Sequence, residues 1–237
     1  MNKTILIAGP TASGKSWLAL KIAKSLFSNN KVRIINADSM QVYSELRIVT
    51  ARPSLEDEKL FLHGLYGTIS ARESCSAGRW RELALDEISA ARRNKEIPIV
   101  VGGTGLYFRA LLEGLAPVPD IPVNIRATAR KISETHEGVS SLVAELERRD
   151  PEIVGKIAAT DTQRIVRAWE VLEATGESLK VWQQRNSGPK LDGLIAKVLL
   201  EPPREHLYAA IDARILKMVE QGALEEVARL DEMHISP

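Results

Sequence analysis

The chain has 237 residues, 44% of them apolar, with 32 lysines and arginines set against 31 acidic residues and one cysteine. That length buries at least one sizeable core and leaves room for a second small lobe. A formal net charge of +1 excludes a global pull on an anionic polymer, so any nucleic-acid site must be local, and a lone cysteine excludes a disulfide framework within the chain.

Thr4 to Ala8 is short, apolar and rich in β-branched residues, which predicts a central parallel strand covered on both faces. A glycine-rich turn follows. Leu18, Ile22 and Leu26 recur every fourth position within Lys15 to Phe27 and predict an amphipathic helix. Val32 to Ile35 reads as a second strand, which closes a right-handed βαβ unit. Trp80, Leu83, Ala84, Ile88 and Ala91 mark one face of a further helix, and Pro98 to Val101 starts another buried strand. Gly102-Gly103-Thr104-Gly105 then leads into a helix over Leu106 to Glu113, so that two glycine turns could line one edge of the sheet; the bland alternative is a plain strand-to-helix turn needing positive φ.

Prolines 117, 119 and 122 mark a change of texture. The charged helical sequence from Ile125 to about Gly176 reads as a separate lobe. Strand character returns at Leu194 to Leu200, and Arg204 to Val219 reads as a helix packing through Leu207, Ile211, Ile215 and Met218. Cys75 reads as structural and fits a reducing cytosol, and no stretch reaches about 18 uninterrupted apolar residues. The expectation is a cytoplasmic monomer that does not enter a membrane.

Gly9-Pro10-Thr11-Ala12-Ser13-Gly14-Lys15-Ser16 satisfies G-x-x-x-x-G-K-[ST] between a strand and a helix. Backbone N–H groups and the helix N-terminus would surround a diphosphate, the Lys15 ammonium would neutralise its oxygens, and Ser16 is placed to hold Mg²⁺. The motif does not choose between ATP and another diphosphate, so a nucleotide kinase is a natural first reading. Asp38 sits just past the second strand, at the edge where open α/β sheets bind ligands. It reads as a Mg²⁺ ligand, as a base that takes a proton from an acceptor, or as a turn cap.

Three stretches, Gly9 to Ser16, Asp38-Ser39-Met40-Gln41-Val42-Tyr43, and Val101-Gly102-Gly103-Thr104-Gly105-Leu106-Tyr107, closely resemble the bacterial-type tRNA dimethylallyltransferases in order and spacing. Asp161-Thr162-Gln163-Arg164-Ile165-Val166-Arg167-Ala168-Trp169-Glu170-Val171 is similar to that family's helix in its inserted lobe, and Ile211-Asp212-Ala213-Arg214 to its late arginine segment. The resemblance implies an α/β fold with a P-loop NTPase-like parallel sheet flanked by helices and an inserted all-helical lobe. It divides the chain into a core at 1–118, a tRNA-contacting lobe at 119–190, and a second core part at 191–237.

The implied reaction joins the exocyclic amine of the adenosine 3′ of the anticodon to dimethylallyl diphosphate and expels pyrophosphate. In it Asp38 would remove the amine proton, while Thr11, Lys15, Ser16 with Mg²⁺, and Arg214 would stabilise the leaving group. Ser39, Met40 and Gln41 would grip a flipped base. Thr104, Arg126, Gln163, Arg164, Ile165, Val166 and Arg167 would contact the anticodon stem-loop.

The bland readings stand beside these. Thr160-x-x-Gln163 matches a capping box, and Arg164 and Arg167 at a spacing of three suit a solvated charge stripe.

Two departures are visible: Val49 stands where many relatives have glycine, and Leu62 to Gly67 is a variant of a histidine-centred stretch. Ser236-Pro237 falls where relatives continue with a basic segment, so the resemblance implies a truncated chain with weakened tRNA affinity. The rivals are a prenyltransferase for free adenine nucleotides, a small-molecule kinase, and a non-catalytic RNA-binding remnant.

Overall fold

A computed structural model describes residues 2–26, 31–185, 188 and 190–235. They fold as two compact units, Met1–Glu113 with Lys190–Pro237 and, separately, Gly114–Pro189.

In the first unit β1 (Lys3–Ala8) is followed by the glycine-rich loop and α1 (Lys15–Leu26), then β2 (Lys31–Asn36), a short α2 (Leu55–Leu60), β3 (Leu62–Gly64), α3 (Ala77–Arg93), β4 (Glu96–Gly102) and α4 (Gly105–Glu113). The second unit holds α5 (Val123–Ser133), α6 (His136–Arg149), α7 (Pro151–Val154), α8 (Thr162–Thr175) and α9 (Leu179–Gln184). The first unit then resumes with β5 (Leu194–Leu199), α10 (Arg204–Glu220) and α11 (Ala223–Asp231).

The strands lie in the order β3-β2-β4-β1-β5, and each neighbouring pair is parallel. Because side chains alternate across a strand, Leu6, Ile35 and Val100 face one side with Trp80, Ala84 and Ile88 of α3 and Tyr107 and Leu111 of α4. Their neighbours Ile7, Ile34, Ile99 and Val101 face the other side with Ala19 and Ala23 of α1. The α/β class with a parallel sheet flanked by helices, which the resemblance implied, is the one observed. Trp80 anchors the first layer: its ring stacks on Tyr107 at 4.2 Å, and its indole N–H donates to the Asn36 carbonyl at 2.9 Å.

Two expectations change. The helix over α10 forms, but none of its residues is buried. Ile215 is 53% exposed, and the face expected to pack instead places Arg214, Lys217 and Met218 on a cavity wall. Its partner strand β5 is an edge strand, hydrogen-bonded to β1 alone, which leaves Leu194 and Leu199 exposed.

The expected capping box at Thr160 is the second. The cap of α8 is Asp161, whose side chain accepts from the Arg164 N–H. Gln163 lies exposed inside the first turn and closes nothing.

In the second unit Ala129, Leu142, Leu146, Ile153, Ile165, Ala168, Trp169 and Leu172 form a core of their own. The Trp169 indole N–H donates to Glu145 at 2.8 Å. Among the described residues no helix is long and apolar enough to cross a membrane.

Candidate active site

The carboxyl ends of β1, β2 and β4 converge at the middle of the sheet, where open α/β folds place their ligands. From β1 the chain enters the loop Gly9 to Ser16. Gly14 takes φ +82°, and Ala12 takes φ +63°, a left-handed conformation uncommon outside glycine. Together they turn the chain so that α1 begins at Lys15 with its positive end at the loop. Pro10 O accepts from the Lys15 ammonium at 3.1 Å. Burial pushes the Lys15 pKa below the usual lysine value, Asp38 opposes that shift, and Arg214 adds to it. Thr11 and Ser16 are exposed, and the Ser13 hydroxyl is buried with no hydrogen-bond partner.

Asp38 leaves β2 on a scaffold made by Asn36. The buried Asn36 side chain accepts the Asp38 N–H at 2.8 Å and donates to the carbonyls of Asp38 at 2.9 Å and Leu65 at 3.1 Å. Asp38 Oδ1 accepts the Met40 N–H at 2.9 Å, so the capping reading holds for one of its oxygens. The other, Oδ2, faces the loop after β4: a Cβ built on Gly103 would lie 3.9 Å from it, 3.8 Å from Lys15 Nζ and 3.3 Å from Gly9 O.

Gly103 therefore marks the gap onto which carboxylate and ammonium both open. The positive φ that the plain-turn alternative would need is absent at Gly102, Gly103 and Gly105. What requires glycine is space, since a Cβ on Gly102 would fall 2.1 Å from the Ala37 backbone. Thr104 ties the two strand ends together, its N–H donating to Ala37 O at 3.2 Å and its hydroxyl accepting the Ser39 N–H at 3.0 Å.

Beside the loop lie two cavities. One, of about 360 Å³, is lined by Arg47, Arg52, Arg214, Lys217, Met218 and Gln221 among others. The other, of about 620 Å³, includes Ser16, Trp17, Lys21 and again Arg52. Arg52 thus lines both cavities.

Residues 41–237 match the family model described as IPP transferase. The chain belongs to that family. The tRNA dimethylallyltransferase of Rhodospirillum centenum is 48% identical over 234 residues, covering 98% of this chain and 73% of its own length. That of Rhodopseudomonas palustris is 48% identical over 235 residues, covering 98% of this chain and 71% of its own. Among solved structures, a eukaryotic dimethylallyltransferase acting on tRNA covers 99% of this chain and 57% of its own, with a TM-score of 0.79 and 28% identity.

In this IPP transferase the core unit gathers Gly9 to Ser16, Asp38, Ser39, Thr104 and Arg214 around the strand ends. Met40 is half exposed there. Gln41 is committed elsewhere: its amide donates to the carbonyls of Thr50 at 2.7 Å and Ala51 at 3.0 Å, so it braces a loop.

In the helical unit Arg126, Gln163 and Arg164 are exposed. Arg164 pairs with Asp161 at 3.2 Å and Arg167 with Glu170 at 3.3 Å. The Arg164 pair is solvent-facing and worth about 0–1 kcal/mol, which leaves Arg164 free to exchange its partner for a phosphate, whereas the Glu170 side chain that holds Arg167 is largely buried. Ile165 is 3% exposed and Val166 packs beside it, so neither offers an open apolar surface.

Sequence reading overlooked Asn36, Arg47, Arg52 and Lys217. The signal for Asn36 was present as a polar residue closing an otherwise apolar strand.

Proposed function

We propose that this IPP transferase moves a dimethylallyl group from dimethylallyl diphosphate to the exocyclic amine of the adenosine 3′ of the anticodon in tRNA. One arrangement carries the reading: Asp38 Oδ2 and Lys15 Nζ open onto the same gap above Gly103. The cation serves a diphosphate and the carboxylate can receive the proton of an amine acceptor; a kinase can use the same pair on a hydroxyl, and the 48% identity to tRNA dimethylallyltransferases favours the amine.

In the transfer the C1–O bond of the donor breaks, and its electron pair leaves with pyrophosphate. The amine nitrogen forms the new bond to C1, and its proton passes to Asp38. An aromatic amine is a weak nucleophile, so stabilising charge on the leaving group is the larger demand. Lys15, the loop N–H groups, Thr11 and Arg214 meet it.

The residues also fit Mg²⁺. The ion keeps several waters and binds through few protein oxygens plus substrate phosphates, which suits the exposed Ser16 at the head of α1. Ser16 would hold the ion, which would supply further neutralisation of the diphosphate.

To reach the gap the adenosine must leave its stack, at a cost of a few kcal/mol. Ser39 and Met40 line its approach beside Asp38. Thr104 offers a polar contact, and Arg126, Gln163, Arg164 and Arg167 of the helical unit take the anticodon stem-loop. The reaction is assigned to the cytoplasm and to a monomer.

The test is incubation of the protein, Mg²⁺ and labelled dimethylallyl diphosphate with tRNA, with AMP, or with ATP plus candidate acceptors. Label is expected in tRNA. Asp38→Ala is expected to reduce transfer by roughly 10²–10⁴-fold while pyrophosphate still binds. A fully active Asp38→Ala, or ATP hydrolysis with no prenylated RNA, overturns the reading.

A further inference from the structure

Glu226 in the first turn of α11 is 5% exposed, yet it has no ion-pair partner among the described residues. Both of its oxygens accept backbone N–H groups. Oε1 takes those of Arg47 and Ile48, and Oε2 those of Ile48 and Val49, each at 2.9 Å. A buried carboxylate is costly unless it is fully hydrogen-bonded, and charge-assisted bonds of this kind are the stronger class. Here one carboxylate fixes three consecutive peptide units that lie far from it in sequence.

The segment it fixes is already tight. Ala51 takes φ +49°, Arg52 N–H returns to Arg47 O at 3.0 Å and Ala51 N–H to Ile48 O at 2.9 Å. Gln41 holds the carbonyls of Thr50 and Ala51 from the other side. The side chains this loop presents are cations. Arg47 and Arg52 share one carboxylate, Glu58, at 3.1 and 3.7 Å. The Arg52 side chain is only 10% exposed, and its Nε is buried without a hydrogen-bond partner. Across the cavity stand Arg214 and Lys217. Burial and, after it, repulsion from Arg47 lower the pKa of Arg52, while the charges of Glu58 and Glu226 oppose that shift.

We infer that Glu226 is a positioning residue: by clasping the N–H groups of Arg47, Ile48 and Val49 it holds Arg47 and Arg52 opposite Arg214 and Lys217 as a cationic wall for phosphate oxygens. The inference rests on the proposed function for the presence of a phosphate ligand. Glu226 itself touches no substrate and acts through the loop. The phosphate oxygens belong either to the donor diphosphate or to the acceptor RNA, and two assays separate these sources.

The experiment uses the full chain with Mg²⁺, well below the melting temperature of every variant. Inorganic pyrophosphate is titrated calorimetrically, and the KM for tRNA is measured at two salt concentrations. Glu226→Gln replaces one accepting oxygen with an NH₂ group facing backbone N–H groups. It is expected to weaken one of the two ligands by about tenfold or more with kcat less affected. Loss confined to pyrophosphate assigns the wall to the donor, and loss confined to tRNA with a flatter salt dependence assigns it to the RNA.

Arg52→Gln is expected to give a similar loss, and the double variant no more than the larger single effect, because the two act through one wall. Full additivity overturns the inference, as does Glu226→Gln losing thermal stability with both affinities unchanged. If Glu226→Gln does not fold, Arg52→Gln alone decides, and unchanged affinities for both ligands refute the wall. Lys15→Ala serves as the separate control. If it leaves pyrophosphate binding intact, the phosphate-cradle reading has failed; if it abolishes binding while Glu226→Gln and Arg52→Gln change nothing, only the present inference has.

Discussion

Gly102 and Gly103 are adjacent, and the structure assigns them opposite sensitivities to one added methyl group. At Gly103 an alanine Cβ meets Gly9 O at 3.3 Å, a contact that a shift of a few tenths of an ångström relieves at about 1 kcal/mol. Its φ lies outside the left-handed region, so alanine also stiffens the unfolded chain, worth about 0.4–1 kcal/mol in favour of folding. The two contributions nearly cancel, and Gly103→Ala is expected to leave the urea midpoint almost unchanged. The same methyl, however, projects to within 3.9 Å of Asp38 Oδ2 and 3.8 Å of Lys15 Nζ, in the space where donor and acceptor must meet. Misplacement of reacting groups by about 1 Å can cost roughly 10²-fold in rate, and a loss of that order in kcat/KM for prenyl transfer is expected.

At Gly102 the added Cβ lies 2.1 Å from Ala37 C and O. Relief there requires parting β2 from β4 where Ala37 N–H donates to Val101 O at 2.8 Å. Gly102→Ala should therefore cost about 3 kcal/mol or more. Paired urea unfolding and transfer assays on the two variants check both statements. A fully active Gly103→Ala with normal stability would show that the gap above Gly103 is not where the reaction occurs.

Two further outcomes follow from buried polar groups. Because burial lowers the Lys15 pKa, its ammonium is lost as pH rises through a value below the ordinary lysine figure of about 10.4. Pyrophosphate affinity should fall over that window, and binding there should take up a proton, read from calorimetry in buffers of different ionisation enthalpy; strictly proton-neutral binding throughout that window would contradict it. Trp80→Phe removes the donor to the Asn36 carbonyl and should cost about 1–3 kcal/mol in urea unfolding, whereas a change below about 0.5 kcal/mol would show that this bond adds little.

Signals that are local in sequence were legible. The apolar run at Thr4 to Ala8, the glycine loop and the repeat at Leu18, Ile22 and Leu26 lie within a few turns of one another, and each predicts its own element. So did the placement of Asp38, because the end of a parallel strand fixes which edge of the sheet a residue reaches.

The three-residue strand β3 was not legible, since Leu62-His63-Gly64 is too short to show a period. Gly102 and Gly103 were read as turn residues, because a sequence shows that glycine is present but not which atom forbids a side chain. The Asp161 cap was displaced by one position in favour of Thr160, where residues of equal capping aptitude stand side by side. Least legible of all was Glu226, whose partners lie 177 to 179 positions away. No periodicity carries such a contact.

The balance of 32 basic and 31 acidic residues conceals how the charges are used. A site for a diphosphate needs cations that are not neutralised by the protein itself, and near a folded surface most arginines find a carboxylate. Around this loop the supply of carboxylates is restricted by commitment. Glu226 spends both oxygens on backbone N–H groups, and Glu58 is shared by two arginines. Asp38 turns Oδ1 to the Met40 N–H and leaves Oδ2 toward the gap. Arg214 and Lys217 come from a helix that buries none of its own residues and faces the cavity instead. The nearby carboxylates keep their charge and still act on Arg52 and Lys15, but their oxygens are held by backbone N–H groups or shared, so the side chains of Arg47, Arg52, Arg214 and Lys217 stay turned to the cavity. The potential these cations produce reaches about one Debye length of 8 Å in cellular salt, so under the proposed reading it acts on phosphates already brought to the strand ends rather than on a distant chain.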